Sequence, residues 1–193
     1  MNKSNYIQFK DKVGATTKTY FTIYDLKKFY GNKKSSLKPL LSRWKKQGFI
    51  IALGRGYYTF DLARLDYMTL ACEMVRPSYI SFEYALNYHG FIDQVPFTIT
   101  LATTKRHQYR DIKIATFEYT TIQKRLFFGY TIENGAYIAE PEKAFLDSVY
   151  LMSRGKRNVD LSSLHKDKFQ KERLKEYMRH FPPYAQEKAK LRL

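Results

Sequence analysis

Acidic residues are missing from Leu26 to Phe60, a stretch that carries nine cations: Lys27, Lys28, Lys33, Lys34, Lys38, Arg43, Lys45, Lys46 and Arg55. A polyanion is the natural partner for such a surface. Cysteine is nearly absent as well. The single Cys72 excludes an internal disulfide and any zinc site built on a cysteine pair, and its neighbours Leu70, Ala71, Met74 and Val75 mark a packing position. No aliphatic run is long enough to span a bilayer, the longest lying near Phe49 to Leu53, and Met1 to Asn5 offers no signal-peptide core. A cytoplasmic protein with no membrane partner is expected. No Gly-rich phosphate loop, His-Glu-x-x-His or Gly-x-Ser-x-Gly occurs, and His89, His107, His165 and His180 are scattered. Neither catalytic residues nor a metal or cofactor is therefore expected.

With 193 residues, 44% of them hydrophobic and 17% aromatic, the chain can build one large or two small cores. Its net charge of +16 is unevenly spread. Residues 1–60 hold thirteen basic against two acidic residues (+11), 61–153 nine against eleven (−2), and 154–193 twelve against five (+7). An electrostatic boundary near Asp61 predicts a DNA-binding domain over 1–60 and a second domain with a different task over 61–193.

Within the first domain the hydrophobic spacing predicts a winged helix-turn-helix. Thr22 and Asp25 form a capping-box pattern, and Ile23, Leu26, Phe29 and Tyr30 follow at helical spacing up to Gly31. After a polar turn from Asn32 to Ser35, Leu37, Leu40, Leu41 and Trp44 form an apolar stripe that ends at Gly48. The opposite side carries Ser35, Pro39, Ser42 and Lys46, flanked by Lys38, Arg43 and Lys45. Pro39 requires that this helix begin at about Ser35 or Ser36, since only the first turn tolerates a missing N–H. Phe49 to Leu53 and Tyr57 to Phe60 are β-rich and flank Gly54-Arg55-Gly56, a tight wing with one cation at its tip. The expected DNA contacts are Lys34, Ser35, Ser36, Lys38, Ser42, Arg43, Lys45, Lys46 and Arg55, with double-stranded DNA as the partner. Residues 4–14 add a first helix with Tyr6, Phe9 and Val13 inward, and Tyr20 to Thr22 a short strand.

The remainder reads as a mixed α/β domain with a small sheet, making the whole chain α+β. Helices are predicted over Leu62 to Val75, from a cap at Ser81 through His89, after Pro141, and from Asp167 to His180 before Pro182-Pro183. Strands are predicted over Phe97 to Ala102, Ile112 to Tyr119, and Tyr130 to Ile138 folded about Asn134-Gly135. Glu140 and Glu142 suit the positive end of the helix after Pro141. Asp93 with Asp111-Ile112-Lys113 faintly matches the carboxylate pattern of metal-dependent nucleases, although surface charges explain it equally well.

Gly54-Arg55-Gly56-Tyr57-Tyr58, Pro77-Ser78-Tyr79-Ile80-Ser81 with Ala85-Leu86 and His89-Gly90, and Ala139-Glu140-Pro141-Glu142-Lys143-Ala144-Phe145-Leu146-Asp147 together resemble the AbiEi family of antitoxins over roughly residues 15 to 155. The resemblance implies a type IV toxin-antitoxin (abortive-infection) protein. Its winged helix would bind inverted repeats in its own promoter as a repressor, and its C-terminal domain would counter a nucleotidyltransferase-like toxin without a stable complex. The alternative is a stand-alone transcriptional regulator whose second domain senses a ligand or partner.

Overall fold

The computed structural model describes residues 3–30 and 37–193, with side chains from residue 6 onward. The chain is α+β and divides into two compact units, Met1–Tyr67 with the segment Ile112–Ile114, and Met68–Asp111 with Ala115–Leu193. The division falls beyond Asp61 because residues 61–66 are tied to the first unit. Thr59 Oγ1 donates to Thr19 O at 2.8 Å, the Asp66 N–H donates to Thr19 Oγ1 at 2.8 Å, and Leu65 is buried.

The first unit runs α1 (Lys3–Gly14), β1 (Phe21–Thr22), α2 (Ile23–Tyr30), α3 (Leu37–Lys46), β2 (Ile51–Gly54) and β3 (Tyr57–Thr59). Its three strands form a sheet in the order β1-β3-β2, with both pairings antiparallel. The core is Phe9, Phe21, Leu26, Leu37, Leu40, Leu41, Trp44 and Ile50, with Tyr6, Val13, Phe29 and Phe60 packed against it. Each buried large apolar side chain contributes about 1.5–3 kcal/mol. Aromatic rings add directional contacts, since Phe9 meets the Phe21 ring edge-on at 5.0 Å and Tyr6 meets Trp44 edge-on at 5.4 Å.

The second unit contains α4 (Tyr67–Met74), β4 (Ser78–Ile80), α5 (Phe82–Tyr88), β5 (Thr98–Thr103), β6 (Gln108–Ile112), β7 (Ala115–Thr121), β8 (Tyr130–Glu133), β9 (Ala136–Ala139), α6 (Pro141–Ser153), α7 (Lys171–Met178) and α8 (Pro183–Lys190). Its sheet has six strands, ordered β6-β7-β5-β4-β9-β8. It is mixed: β4 pairs antiparallel with β5 and parallel with β9, β5 pairs parallel with β7, and β8 with β9 closes an antiparallel hairpin. Asn134 (φ 50°) and Gly135 (φ 88°) supply the two left-handed residues that a two-residue turn of this kind demands.

Several boundaries differ from the sequence expectation. The helix expected from Leu62 starts at Tyr67, because residues 61–66 are held to the first unit instead. The strand expected over Ile112 to Tyr119 is broken at Lys113–Ile114 into β6 and β7. The helix expected from Asp167 is a short 3-10 turn, Lys166–Lys168, followed by α7, since Phe169 is buried and extended between them. Pro183 opens α8 rather than only ending its predecessor, its missing N–H falling in a first turn where none is needed. Ser81 does sit at the N-cap of α5, yet its hydroxyl makes no cap bond and donates to Asp147 Oδ2 at 2.9 Å.

That last bond belongs to a polar cluster at the centre of the unit. α6 touches α5, α7, α8 and β9, and is buried on all sides from Glu142 to Leu151. Lys143 and Asp147, one turn apart on it, are wholly buried and hydrogen-bonded to each other. The Lys143 ammonium also donates to the Tyr79 hydroxyl at 2.8 Å, and that hydroxyl donates to Asp147 Oδ2 at 2.8 Å. The rings of Tyr79, Phe128 and Phe181 lie 5.1–5.3 Å from the ammonium. Burial pushes the Lys143 ammonium below its ordinary pKa against the pull of Asp147, and burial with the adjacent carboxylate pushes the Tyr79 phenol up. Glu140 and Glu142 face α7 rather than solvent, with Arg173 2.9 Å from Glu140 Oε1 and 3.8 Å from Glu142 Oε2. The Tyr177 hydroxyl donates to Glu140, and its pKa, raised by burial and by that bond, is pushed up to about 12.

Candidate nucleic-acid interface

Three elements assemble the site: α2, α3 and the β2–β3 turn. The start of α2 is fixed by a reciprocal cap. Thr22 Oγ1 accepts from the Tyr24 N–H at 3.2 Å, while the Asp25 carboxylate accepts from the Thr22 N–H and hydroxyl, both at 2.8 Å. Lys18 adds an ion pair to Asp25 at 3.0 Å. Partial burial opposes ionisation of Asp25, but the bonds from Lys18 and Thr22 outweigh it and hold its carboxyl below the ordinary 3.8.

A carboxyl lowered on folding stabilises the folded state above its unfolded pKa, and that stability is lost as pH falls through the folded value. The contribution of this cap is therefore complete at neutral pH and fades below pH 3.8. In acid titrations followed by Trp44 fluorescence, Asp25→Asn is expected to be less stable than wild type at pH 7 and to show a shallower loss of stability below pH 4. Parallel curves for the two proteins would refute the assignment.

In α3 the residues Leu37, Leu40, Leu41 and Trp44 are all buried, as their spacing predicts. Lys38, Pro39, Ser42, Arg43, Lys45 and Lys46 are all exposed on the other side. Among the described residues, no acidic side chain forms an ion pair with Lys38, Arg43, Lys45, Lys46 or Arg55. Pro39 is the third residue of the described helix, inside its first turn. Lys34, Ser35 and Ser36, the turn from Asn32 and the Gly31 stop lie outside the described residues.

At the wing, Gly54 (φ 101°), Arg55 (φ 48°) and Gly56 (φ 84°) are three successive left-handed residues. The strand register shifts between Ala52 and Gly54 as the turn is made. Arg55 is thereby exposed at the tip, held in a conformation that an L-residue adopts at some cost. On α2 a feature the sequence did not single out emerges. Tyr24 is 69% exposed, with Lys27 Nζ 5.0 Å from the centre of its ring. The pair combines an ammonium with a phenol hydroxyl, both able to donate to an anion. Tyr24 is one residue off the apolar stripe of α2, which is the only trace it leaves in the sequence.

The carboxylates of the nuclease-like pattern have separate partners: Asp93 meets His165 at 3.1 Å, and Asp111 accepts from Thr116 at 2.9 Å. Among the described residues no group of three histidine, cysteine or carboxylate side chains is placed to hold a metal ion. Among the same residues, no helix is long and apolar enough to cross a membrane.

No protein-family model matches the chain, and no curated protein matches it. A solved structure does: the RV2827C protein from Mycobacterium tuberculosis superposes with a TM-score of 0.62 at 12% identity, over 98% of this chain and 76% of that one. A likeness at that identity is one of fold alone.

Proposed function

We propose that the chain is a DNA-binding transcriptional autorepressor of the AbiEi antitoxin type, acting in the cytoplasm on inverted repeats in its own promoter. It performs no catalysis in this reading, and needs no cofactor. One observation carries the DNA half: four cations without acidic partners among the described residues on the exposed side of α3, opposite a fully buried stripe, with Arg55 presented at the wing. Such a surface neutralises phosphates and releases counterions, while the groove-facing side chains are left for base edges. The antitoxin half, antagonism of a nucleotidyltransferase-like toxin without a stable complex, is supported by the sequence resemblance.

The test is a salt-titrated anisotropy measurement on the upstream DNA of the gene and on a scrambled duplex of equal length. Tighter binding to the upstream duplex by at least about a thousandfold is the range expected of a specific site. Equal, steeply salt-dependent affinity for both duplexes would reduce the surface to a general polyanion binder.

A second reading, a stand-alone regulator with a sensing domain, is favoured by a cleft of about 400 Å³ in the second unit. Arg157 sits in it between Glu83 and Glu118, beside a fully exposed Phe97. Co-expression with an adjacent nucleotidyltransferase gene separates the two readings, since only an antitoxin restores growth.

A further inference from the structure

The exposed side of α3 is not uniformly cationic. Taken at about 100° per residue, its outermost line is Pro39, Ser42 and Lys46, with Lys38, Arg43 and Lys45 to either side. Lys38, Arg43 and Lys45 therefore lie on the flanks, and Lys46 on the outermost line itself. Pro39, in the first turn and exposed, is the odd member: it has no N–H and no polar side-chain atom, so it cannot read a base edge by hydrogen bonding. One apolar group is displayed on the edges of ordinary base pairs in the major groove, the thymine 5-methyl.

We propose that Pro39 is a specificity-determining residue that packs on a thymine methyl in each half-site, with Ser42 reading the adjacent base pair. Ser42 is three residues further on, about 4.5 Å along the helix axis, which lies between one base step of about 3.4 Å and two. Its hydroxyl donates or accepts, so the pair reads one apolar and one polar feature in succession. This proposal rests on the DNA-binding reading above and adds the base class that the site selects.

The full chain is used to select duplexes from a randomised pool, and each thymine of the enriched sequence is then replaced singly by deoxyuridine. That exchange removes the methyl and leaves base pairing and the O4 acceptor intact. At one thymine per half-site, wild type is expected to bind about fourfold more weakly, the effect of exposing one methyl-sized apolar group. Pro39→Ala, checked for folding by the fluorescence of Trp44, is expected to bind the thymine duplex about fourfold more weakly and to be indifferent to the deoxyuridine exchange.

Failure to enrich any sequence overturns the sequence-selective reading and this inference with it. Enrichment with no methyl effect at any thymine overturns the inference alone. A methyl effect that persists undiminished in Pro39→Ala assigns the contact to another side chain, and also overturns it.

Discussion

Asp147→Ala is expected to destabilise the second unit by about 3–5 kcal/mol, the range for removing one partner of a buried ion pair. Among the described residues, the substitution leaves the buried Lys143 ammonium with the Tyr79 hydroxyl as its one remaining hydrogen-bond partner, and strands the donors of Tyr79 and Ser81. Lys143→Met is expected to be milder. Asp147 keeps two hydroxyl donors in that variant, and the methionine stem fills the space between the Tyr79, Phe128 and Phe181 rings. The double variant Lys143→Met/Asp147→Ala is expected to recover part of the loss, since both charges leave together. Guanidinium denaturation followed by far-ultraviolet circular dichroism on the three variants checks this. Additive losses in the double variant would mean that the two charges do not act as a pair.

This cluster also shows where the sequence stopped being legible. Period, caps and turn glycines are enough for α2, α3, the wing and the β8–β9 hairpin, because one side of each faces water and leaves a pattern of alternation, whereas the period of α1 is poor. Burial on both faces erases that pattern in a short strand. β4 is three residues long, entirely buried, and central in its sheet, so Ser78, Tyr79 and Ile80 carry no alternation to detect. Likewise Lys143 and Asp147 look like solvated charges at i and i+4 until the packing of α5, α7 and α8 against α6 encloses them. The motif stretches of residues 77–81 and 139–147 are brought together by these bonds, with His89 Nε2 2.9 Å from Ala139 O joining the third. Proximity in sequence gave no hint of that convergence, which is a property of the sheet order. The candidate interface was legible for the opposite reason: Lys38, Ser42, Arg43, Lys45, Lys46 and Arg55 are defined by their exposure, and exposure is what helical period and turn glycines report.

Neutralising Lys38, Arg43, Lys45 and Lys46 together to glutamine is expected to weaken operator binding by about a thousandfold or more at low salt. Each contact removed costs about 1 kcal/mol or more, and every 1.4 kcal/mol is a factor of ten. The single substitutions divide the four by role. Arg43→Ala or Lys46→Ala is expected to cost about 1–3 kcal/mol and to relax the sequence preference at one base pair if that side chain reads a base. A phosphate contact instead weakens binding to every duplex alike and lowers the slope of log affinity against log salt by about 0.9. Leu40 and Trp44 give the contrasting control: they are buried on the same helix, so Trp44→Ala acts through folding of the first unit, by about 3–5 kcal/mol. Its loss of binding is accompanied by a lower melting temperature, whereas the four exposed positions change binding with the melting temperature held. An unaltered affinity and salt slope in the fourfold variant, with the fold intact, would remove α3 from the interface and leave Arg55 and the Tyr24–Lys27 pair as the surfaces to test.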